Sequence, residues 1–182
     1  MDLLAHALWA GVAGESLRRR GRIGAQGVGA VVALSMLPDM VQGLPVLAWS
    51  LADGQFPGLL WDFATASPAD EPVLPALVQT VSHHLHCTGH SAIVAGLVTA
   101  AAVAARWRHA WVLAGWWLHI VIDVFTHSAD FYPVPVLYPL TMRGFDGLAW
   151  NTPWFQAANY AALAVAGLWL WRTRARRRGS GS

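Results

Sequence analysis

The sequence predicts an all-α protein that forms a single helical bundle inside a membrane. Hydrophobic residues make up 55% of its 182 residues and charged residues only 12%, which is about half the charged share of a soluble globular domain. Eleven tryptophans fit this fold, because an indole ring favours the boundary between membrane and water. We therefore expect one membrane domain in 1–178, followed at 179–182 by a Gly-Ser tail that resembles an added linker.

Four to five helices are expected from five apolar segments: 2–17, 23–51, 74–105, 110–127 and 154–171. The first segment is shorter than the about 20 residues that a spanning helix needs, so we predict a short or re-entrant helix. The second segment contains Pro38. Because proline removes a helical hydrogen bond, we predict that this helix is broken or kinked near Pro38.

The arginines predict the orientation of the bundle. All twelve basic residues are arginine, and all but Arg143 fall at 18–22, 106–108 or 172–178. The positive-inside rule places these clusters, and with them the C-terminus, in the cytoplasm. The acidic connections 53–71 and 130–146 then face outward. The arginines mark topology, so we expect membrane lipid and not nucleic acid as the partner; the oligomeric state is left open.

Histidines and aspartates from four segments fall at one predicted depth. At about 1.5 Å per helical residue, they lie roughly 16 to 25 Å from the arginine clusters, in the outer half of a hydrocarbon core about 30 Å thick. An unpaired carboxylate at that depth costs at least a few kcal/mol, so it normally faces a cavity, a partner or an ion. The residues of this layer are His6, Asp39, His90, His119 and Asp123.

The spacing of these residues predicts a metal site. His119 and Asp123 are four residues apart, which puts both on one face of a helix. Two other pairs share the spacing: Asp2 with His6, and His86 with His90. Imidazole and carboxylate together suit one or two divalent ions, with zinc first and manganese or iron as alternatives. The predicted ligands are the five residues of the layer, and the predicted proton acceptors are Asp2, His86 and His127.

Each of these features also fits a structural role. A His/Asp pair inside a membrane can be a hydrogen bond between helices, and Asp39 can cap a helix that starts after Pro38. His127 can simply end its helix. Surface or filler roles are the simpler reading of His83, His84, His109 and Cys87.

Four motifs occur in order along the chain: Asp2 with His6, Leu-Pro-Asp at 37–39, His-Cys-Thr-Gly-His-Ser at 86–91, and His119 with Asp123 and Thr126. In these motifs the chain resembles the family of membrane-bound predicted metal-dependent hydrolases of bacterial inner membranes. The segments 131–135, 138–139 and 145–147, with Trp150, look like the ending of one uncharacterised branch. Gly89 stands where the family has Thr directly before His, which leaves open whether His84 or His86 is the first histidine; the spacing favours His86.

The resemblance implies a multi-pass inner-membrane protein and a hydrolase, since the family's ligand pattern is similar to that of zinc-dependent phospholipase C. The expected substrate is a lipid or lipid-linked phosphoester at the outer leaflet. The sequence contains no Gly-x-Ser-x-Gly motif and no phosphate-binding glycine loop, which disfavours a serine nucleophile and nucleotide use. The alternatives are a transporter or ion- or proton-binding membrane protein, and a structural subunit whose polar layer only locks the helices together.

Overall fold

The computed structural model describes residues 1–66 and 70–179, and every helix or strand in this part of the chain is an α- or 3-10 helix. The elements are α1 (Leu3–Arg19), α2 (Ala25–Ala52), α3 (Gly58–Thr65), α4 (Ala76–Gly89), α5 (Ala92–Ala104), a 3-10 turn (Ala110–Leu113), α6 (Ala114–Thr126) and α7 (Pro153–Gly179). Of the predicted tail at 179–182, only Gly179 lies within the described residues. The all-α prediction is confirmed.

Helix α2 is the central element, since it packs against α1, α3, α4 and α6. It runs antiparallel to α1, with Val28 close to Gly14 and the Ser35 hydroxyl donating to the carbonyl of His6. It also runs antiparallel to α4, where Ser82 donates to the carbonyl of Gln42. A single helix therefore positions most of the others.

The predicted number of four to five helices is too low, because the described residues contain seven α-helices. One reason is α3, which lies in a connection that we predicted as an outer loop. The other is that the third predicted segment forms two helices, α4 and α5, bent by 58°. Hydropathy cannot show such a bend, because the two helices together pass as one apolar stretch.

The predicted break near Pro38 is wrong, since α2 is continuous through both Pro38 and Pro45. A proline within a helix removes one backbone hydrogen bond, and burial can offset that loss. Pro38 is buried. A Cβ atom added at Gly89 would lie only 3.1 Å from the Cβ atom of Pro38, so the two helices are in close contact there. Close packing of α2 against α4 thus accommodates the proline.

The break in the chain lies instead between α4 and α5, at His90 and Ser91. The His90 amide donates to the carbonyl of His86 and ends α4. The Ser91 hydroxyl accepts from the amide of Val94 at 3.2 Å, which caps α5, and donates to the carbonyl of Tyr138 at 2.6 Å. The bend leaves His90 fully buried in the interior.

The described helices expose apolar side chains. Along α2 the exposed positions from the middle to the C-terminal end are all apolar: Ala33, Leu37, Met40, Leu44, Ala48, Leu51 and Ala52. By length and hydropathy α2 can cross a membrane, and the bent pair α4–α5 counts as a second such element if it forms one span. Helix α1 is short, with 17 residues. The other predicted spans do not meet this test within the described residues.

The arginine clusters meet at one end of the bundle. Arg19, at the end of α1, donates to the carbonyl of Leu170 at 2.6 Å and to the Thr173 hydroxyl at 2.7 Å, near the end of α7. The ring of Trp111, which follows the second cluster, lies against Gly27 near the start of α2. The three clusters therefore share one end, opposite to the predicted outer loops.

A glycine allows α6 to approach α2. A methyl group at Gly115 would overlap the backbone carbonyl of Val31, so the two backbones are in contact there. One turn farther along both helices, His119 Nδ1 lies 2.7 Å from the carbonyl oxygen of Ser35. The close approach at Gly115 thus sets the position of His119.

We expect Gly115→Ala to lower the stability of the bundle by about 1–3 kcal/mol, because the added methyl must push α6 away from α2. The matched control is Gly167→Ala in α7, where a methyl meets no atom within 4 Å; there the better helix propensity of alanine should leave stability unchanged or raise it by up to about 1 kcal/mol. Thermal unfolding of the detergent-purified variants measures both. Equal midpoints for the two variants would contradict the proposed helix contact.

Candidate metal centre

Four side chains from three parts of the fold converge inside the bundle. They are Asp39 on α2, His90 at the bend between α4 and α5, and His119 and Asp123 on α6. One ligand atom from each lies within 4.8 Å of all the others, so this group, the His/Asp cluster, can hold a metal ion. His90, His119 and Asp123 are fully buried, whereas the Asp39 side chain is 25% exposed. The cluster is therefore reached from the side of Asp39.

The distances within the cluster match a four-coordinate ion. His90 Nε2 lies 2.9 Å from His119 Nε2 and 3.0 Å from Asp123 Oδ2. His119 Nε2 lies 3.2 Å from the same oxygen, and Asp39 Oδ1 lies 3.5 and 3.7 Å from the two imidazoles. A tetrahedral zinc site with ligand distances of about 2.0–2.2 Å has edges of roughly 3.3–3.6 Å. An ion at the centre would need only small shifts of these atoms.

Backbone carbonyls fix the tautomers of both histidines. His90 Nδ1 lies 2.8 Å from the carbonyl oxygen of His86, and His119 Nδ1 lies 2.7 Å from that of Ser35. A carbonyl only accepts, so each Nδ1 carries a proton and each Nε2 faces the cluster. This second hydrogen bond is typical of metal-binding histidines. Two lone pairs at 2.9 Å repel each other unless a cation or a proton lies near them.

His6 lies at the edge of the His/Asp cluster. Its side chain is fully buried, and neither ring nitrogen has a hydrogen-bond partner among the described residues. His6 Nε2 is 2.9 Å from Asp123 Oδ1 and 4.0 Å from Asp39 Oδ2, and its ring centroid is 4.0 Å from that of His119. The structure thus brings all five predicted ligands together, with His6 outside the tightest group of four. That they bind an ion stays a prediction.

His86 lies directly behind His90, with ring centroids 4.1 Å apart. Its Nδ1 lies 2.9 Å from Gln42 Oε1, and its Nε2 lies 3.4 Å from the carbonyl oxygen of Pro133. His84 is exposed, and its Nδ1 lies 3.2 Å from the Tyr138 hydroxyl. Of the two histidines that the sequence left open, His86 is therefore the one beside the cluster.

His127 is buried at the end of α6 and faces the cluster through Nε2, 3.6 Å from Asp123 Oδ1. The amino group of Met1 contacts both of these side chains. His127 Nδ1 lies 2.8 Å from the carbonyl oxygen of Tyr132, so Nδ1 carries the proton and the lone pair of Nε2 points toward the cluster. Tyr132 has a φ of 46°, a left-handed conformation that costs a non-glycine residue roughly 1–2 kcal/mol. This strain at a candidate site orients the carbonyl that holds His127.

Asp2 has a different position from the one we predicted. Its Oδ1 accepts from the amide of Ala5 at 2.9 Å, which caps α1, and from the Tyr160 hydroxyl at 2.8 Å. Because Asp2 precedes the helix, it does not share a helical face with His6. The first bond caps α1 and the second ties it to α7, and neither partner belongs to the cluster. A role for Asp2 in accepting protons stays a prediction with no contact to support it.

The structure distinguishes among the simpler roles of the other polar residues. Asp39 is not a helix cap, because it lies inside α2. Cys87 is buried, with Sγ 3.6 Å from His83 Nε2, and is not a member of the cluster. His109 is exposed near the arginine end. Cys87 and His109 therefore lie outside the cluster, whereas Asp39 belongs to it.

Five groups that contact the cluster or its neighbours were missed by the sequence analysis: the carbonyls of Ser35, His86 and Tyr132, the side chain of Gln42 and the amino group of Met1. A carbonyl leaves no signal in a sequence. Gln42 does leave one, because an amide three residues after Asp39 lies on the same face of an apolar helix. A cavity of about 370 Å³ adjoins the cluster and is lined at its polar end by Asp39, His86 and His127. A small molecule can therefore reach these three side chains.

Comparisons of the chain with known protein families, with curated proteins and with solved structures gave no match in any of the three. Membership of the hydrolase family that the motifs resemble stays a prediction.

Proposed function

We propose that this protein is a membrane-embedded, metal-dependent hydrolase that acts on a lipid or lipid-linked phosphoester. The observation that carries the proposal is the pair of Nε2 atoms of His90 and His119, 2.9 Å apart and flanked by two carboxylates. Each ring already donates its Nδ1–H to a carbonyl, so the two Nε2 atoms and the carboxylates of Asp39 and Asp123 converge as candidate ligands, with the amino group of Met1 against Asp123. A divalent cation satisfies all four groups at once.

The chemistry follows from what such an ion does. Zinc lowers the pKa of a bound water to about 7 and polarises an ester oxygen. We assign the proton acceptor to His127, because its Nδ1–H is held by Tyr132 and its Nε2, which also contacts the Met1 amino group at 3.1 Å, faces Asp123 at the polar end of the cavity. His86 lines the same cavity and is the second candidate, with its two nitrogens in contact with Gln42 and Pro133.

The proposal places the protein in the bacterial inner membrane as a multi-pass protein with a cytoplasmic C-terminus. Two observations support this. The arginine clusters share one end of the bundle, as the positive-inside rule requires, and α2 exposes only apolar side chains along its second half. Buried histidine and aspartate with exposed leucine is the opposite of the pattern in a soluble protein.

We expect purified protein to carry stoichiometric zinc, manganese or iron, and His119→Ala and Asp123→Ala each to reduce the bound ion to background. Loss of a group that only hydrogen-bonds to a ligand typically lowers metal affinity by about 10–100-fold. Loss of a direct ligand lowers it further. Elemental mass spectrometry of protein in detergent, with circular dichroism to check folding, measures the effect.

The matched controls for this experiment are His109→Ala and Asp62→Ala, which remove an exposed histidine and an exposed aspartate that are not members of the cluster. Both should retain the ion. A wild-type protein that binds no ion after incubation with each of the three metals would exclude the metal site and leave a structural role for the polar layer.

We expect His127→Ala to keep its ion but to lose turnover by about 10²–10⁴-fold, the usual contribution of a general base. Phosphate or headgroup release from bacterial lipid extracts, with and without chelator, measures turnover, and His109→Ala is again the control. A full metal complement with no turnover by wild type on any lipid class would favour the alternative, an ion- or proton-binding transporter.

The orientation can be tested with single cysteines in a Cys87→Ala background. Asp62→Cys in α3 should react with a membrane-impermeant maleimide in spheroplasts, because we place α3 on the outer side. Arg108→Cys should react only after permeabilisation. The opposite pattern would reverse the topology, and equal reaction of both in intact spheroplasts would argue against a membrane-spanning chain.

A further inference from the structure

The cavity beside the His/Asp cluster is chemically asymmetric. Its polar end consists of Asp39, His86 and His127, whereas most of its other walls are leucine, methionine, phenylalanine, tryptophan and alanine side chains. Its volume of about 370 Å³ lies within the usual range of ligand pockets, about 300–1,000 Å³. A ligand that fits these walls is itself polar at one end and hydrocarbon along the rest.

The entrance of the cavity is apolar as well. Leu3, Met40 and Leu44 line the cavity, yet they are 38%, 53% and 54% exposed. Met40 and Leu44 belong to the continuous apolar face of α2 described above. A cavity entered from water would expose this surface at a cost in free energy. Entry from the hydrocarbon of a bilayer has no such cost, so the ligand reaches the cavity sideways from the membrane.

One wall of the cavity is α3, the short helix that the sequence did not predict. Leu60, Phe63 and Ala64 of α3 line the cavity opposite Leu47 of α2. Phe63 packs edge-on against Tyr132, with ring centroids 6.3 Å apart, which joins this wall to the loop that holds His127. The same contact therefore shapes the apolar part of the cavity and its polar end.

The polar groups of the cavity suit a small head with few charges. Among the described residues that line it there is no arginine or lysine. The amino group of Met1 is a cation at this cavity, but it is already in contact with Asp123. Burial raises the pKa of Tyr132 to about 12, so its hydroxyl stays protonated and can donate a hydrogen bond. The Gln42 side chain also lines the cavity. These groups can orient a head without needing it to be highly charged.

Building on the proposed hydrolase function, we propose that this cavity binds one long apolar chain of an amphiphilic substrate and holds its polar end against Asp39 and His127. The hydrocarbon lies between α2 and α3, and the scissile group lies next to the His/Asp cluster. Selection of the substrate by its chain is then a property of α3 and of the facing turns of α2.

A matched pair of glycines on α2 tests this proposal. Gly43 lines the cavity, and a Cβ added there meets no atom within 4 Å. Gly29 lies on the same helix outside the cavity and is equally open. Leucine at either position is compatible with the backbone, but Gly43→Leu occupies the space of the chain whereas Gly29→Leu does not.

The probe is a palmitic acid analogue with a photoactivatable diazirine on its chain, added to protein in phosphatidylcholine nanodiscs. Cross-linked peptides are mapped by mass spectrometry, and metal content is measured on the same samples. We expect labelling in wild type to be concentrated on α2 near Leu47 and on α3 near Leu60. It should fall severalfold in Gly43→Leu and stay unchanged in Gly29→Leu, with equal metal content in all three proteins.

Two results would overturn the proposal: labelling that follows only the exposure of each helix, as strong on α5 and α7 as on α3, or equal labelling of α3 in wild type and Gly43→Leu. The wild-type map alone decides the first of these, so the test does not depend on the folding of a variant. Chain binding in a protein that never holds metal would remove the hydrolase but keep the cavity assignment. Metal-dependent turnover without selective labelling would keep the hydrolase but remove the cavity assignment.

Discussion

The structure depends on one constraint, which is that polar side chains buried in an apolar bundle must have partners. His90 and His119 meet it on one side with backbone carbonyls, which bind Nδ1 and fix the tautomer. On the other side their Nε2 atoms meet Asp39 and Asp123. Because an unsatisfied buried charge costs several kcal/mol, the arrangement is stable only when the lone pairs of the cluster share a cation or protons.

Close contacts between helices make this convergence possible. Gly115 lets α6 touch the backbone of α2, and Gly89 lets the end of α4 lie against Pro38. Each contact lies one turn or less from a residue of the cluster, so small residues next to the site control the distances between its ligands. The strained backbone of Tyr132 and its carbonyl do the same for His127. Rigid positions for the ligands favour a metal over a loose network of hydrogen bonds.

A purely structural polar layer remains the main competitor to the metal site, and the two differ in their hydrogen bonds. Hydrogen bonds that only lock helices together pair donors with acceptors. Here two imidazole Nε2 atoms and two carboxylates converge, with the amino group of Met1 against Asp123, and neither ring nitrogen of the fully buried His6 makes a hydrogen bond among the described residues. The adjoining cavity adds a second difference, because a structural layer has no need of an open space that ends at Asp39 and His127.

The sequence by itself determined the helical class, the shared depth of the histidines and aspartates, and the pairing of His119 with Asp123, because composition and a spacing of four residues act locally along a helix. The tertiary structure alone decided that α2 passes Pro38 unbroken, that the chain bends at His90, that Asp2 caps α1, and that α3 closes a cavity. Each of these depends on contacts between residues far apart in the chain. Local propensity cannot show when packing offsets a lost hydrogen bond, or which carbonyl meets which imidazole.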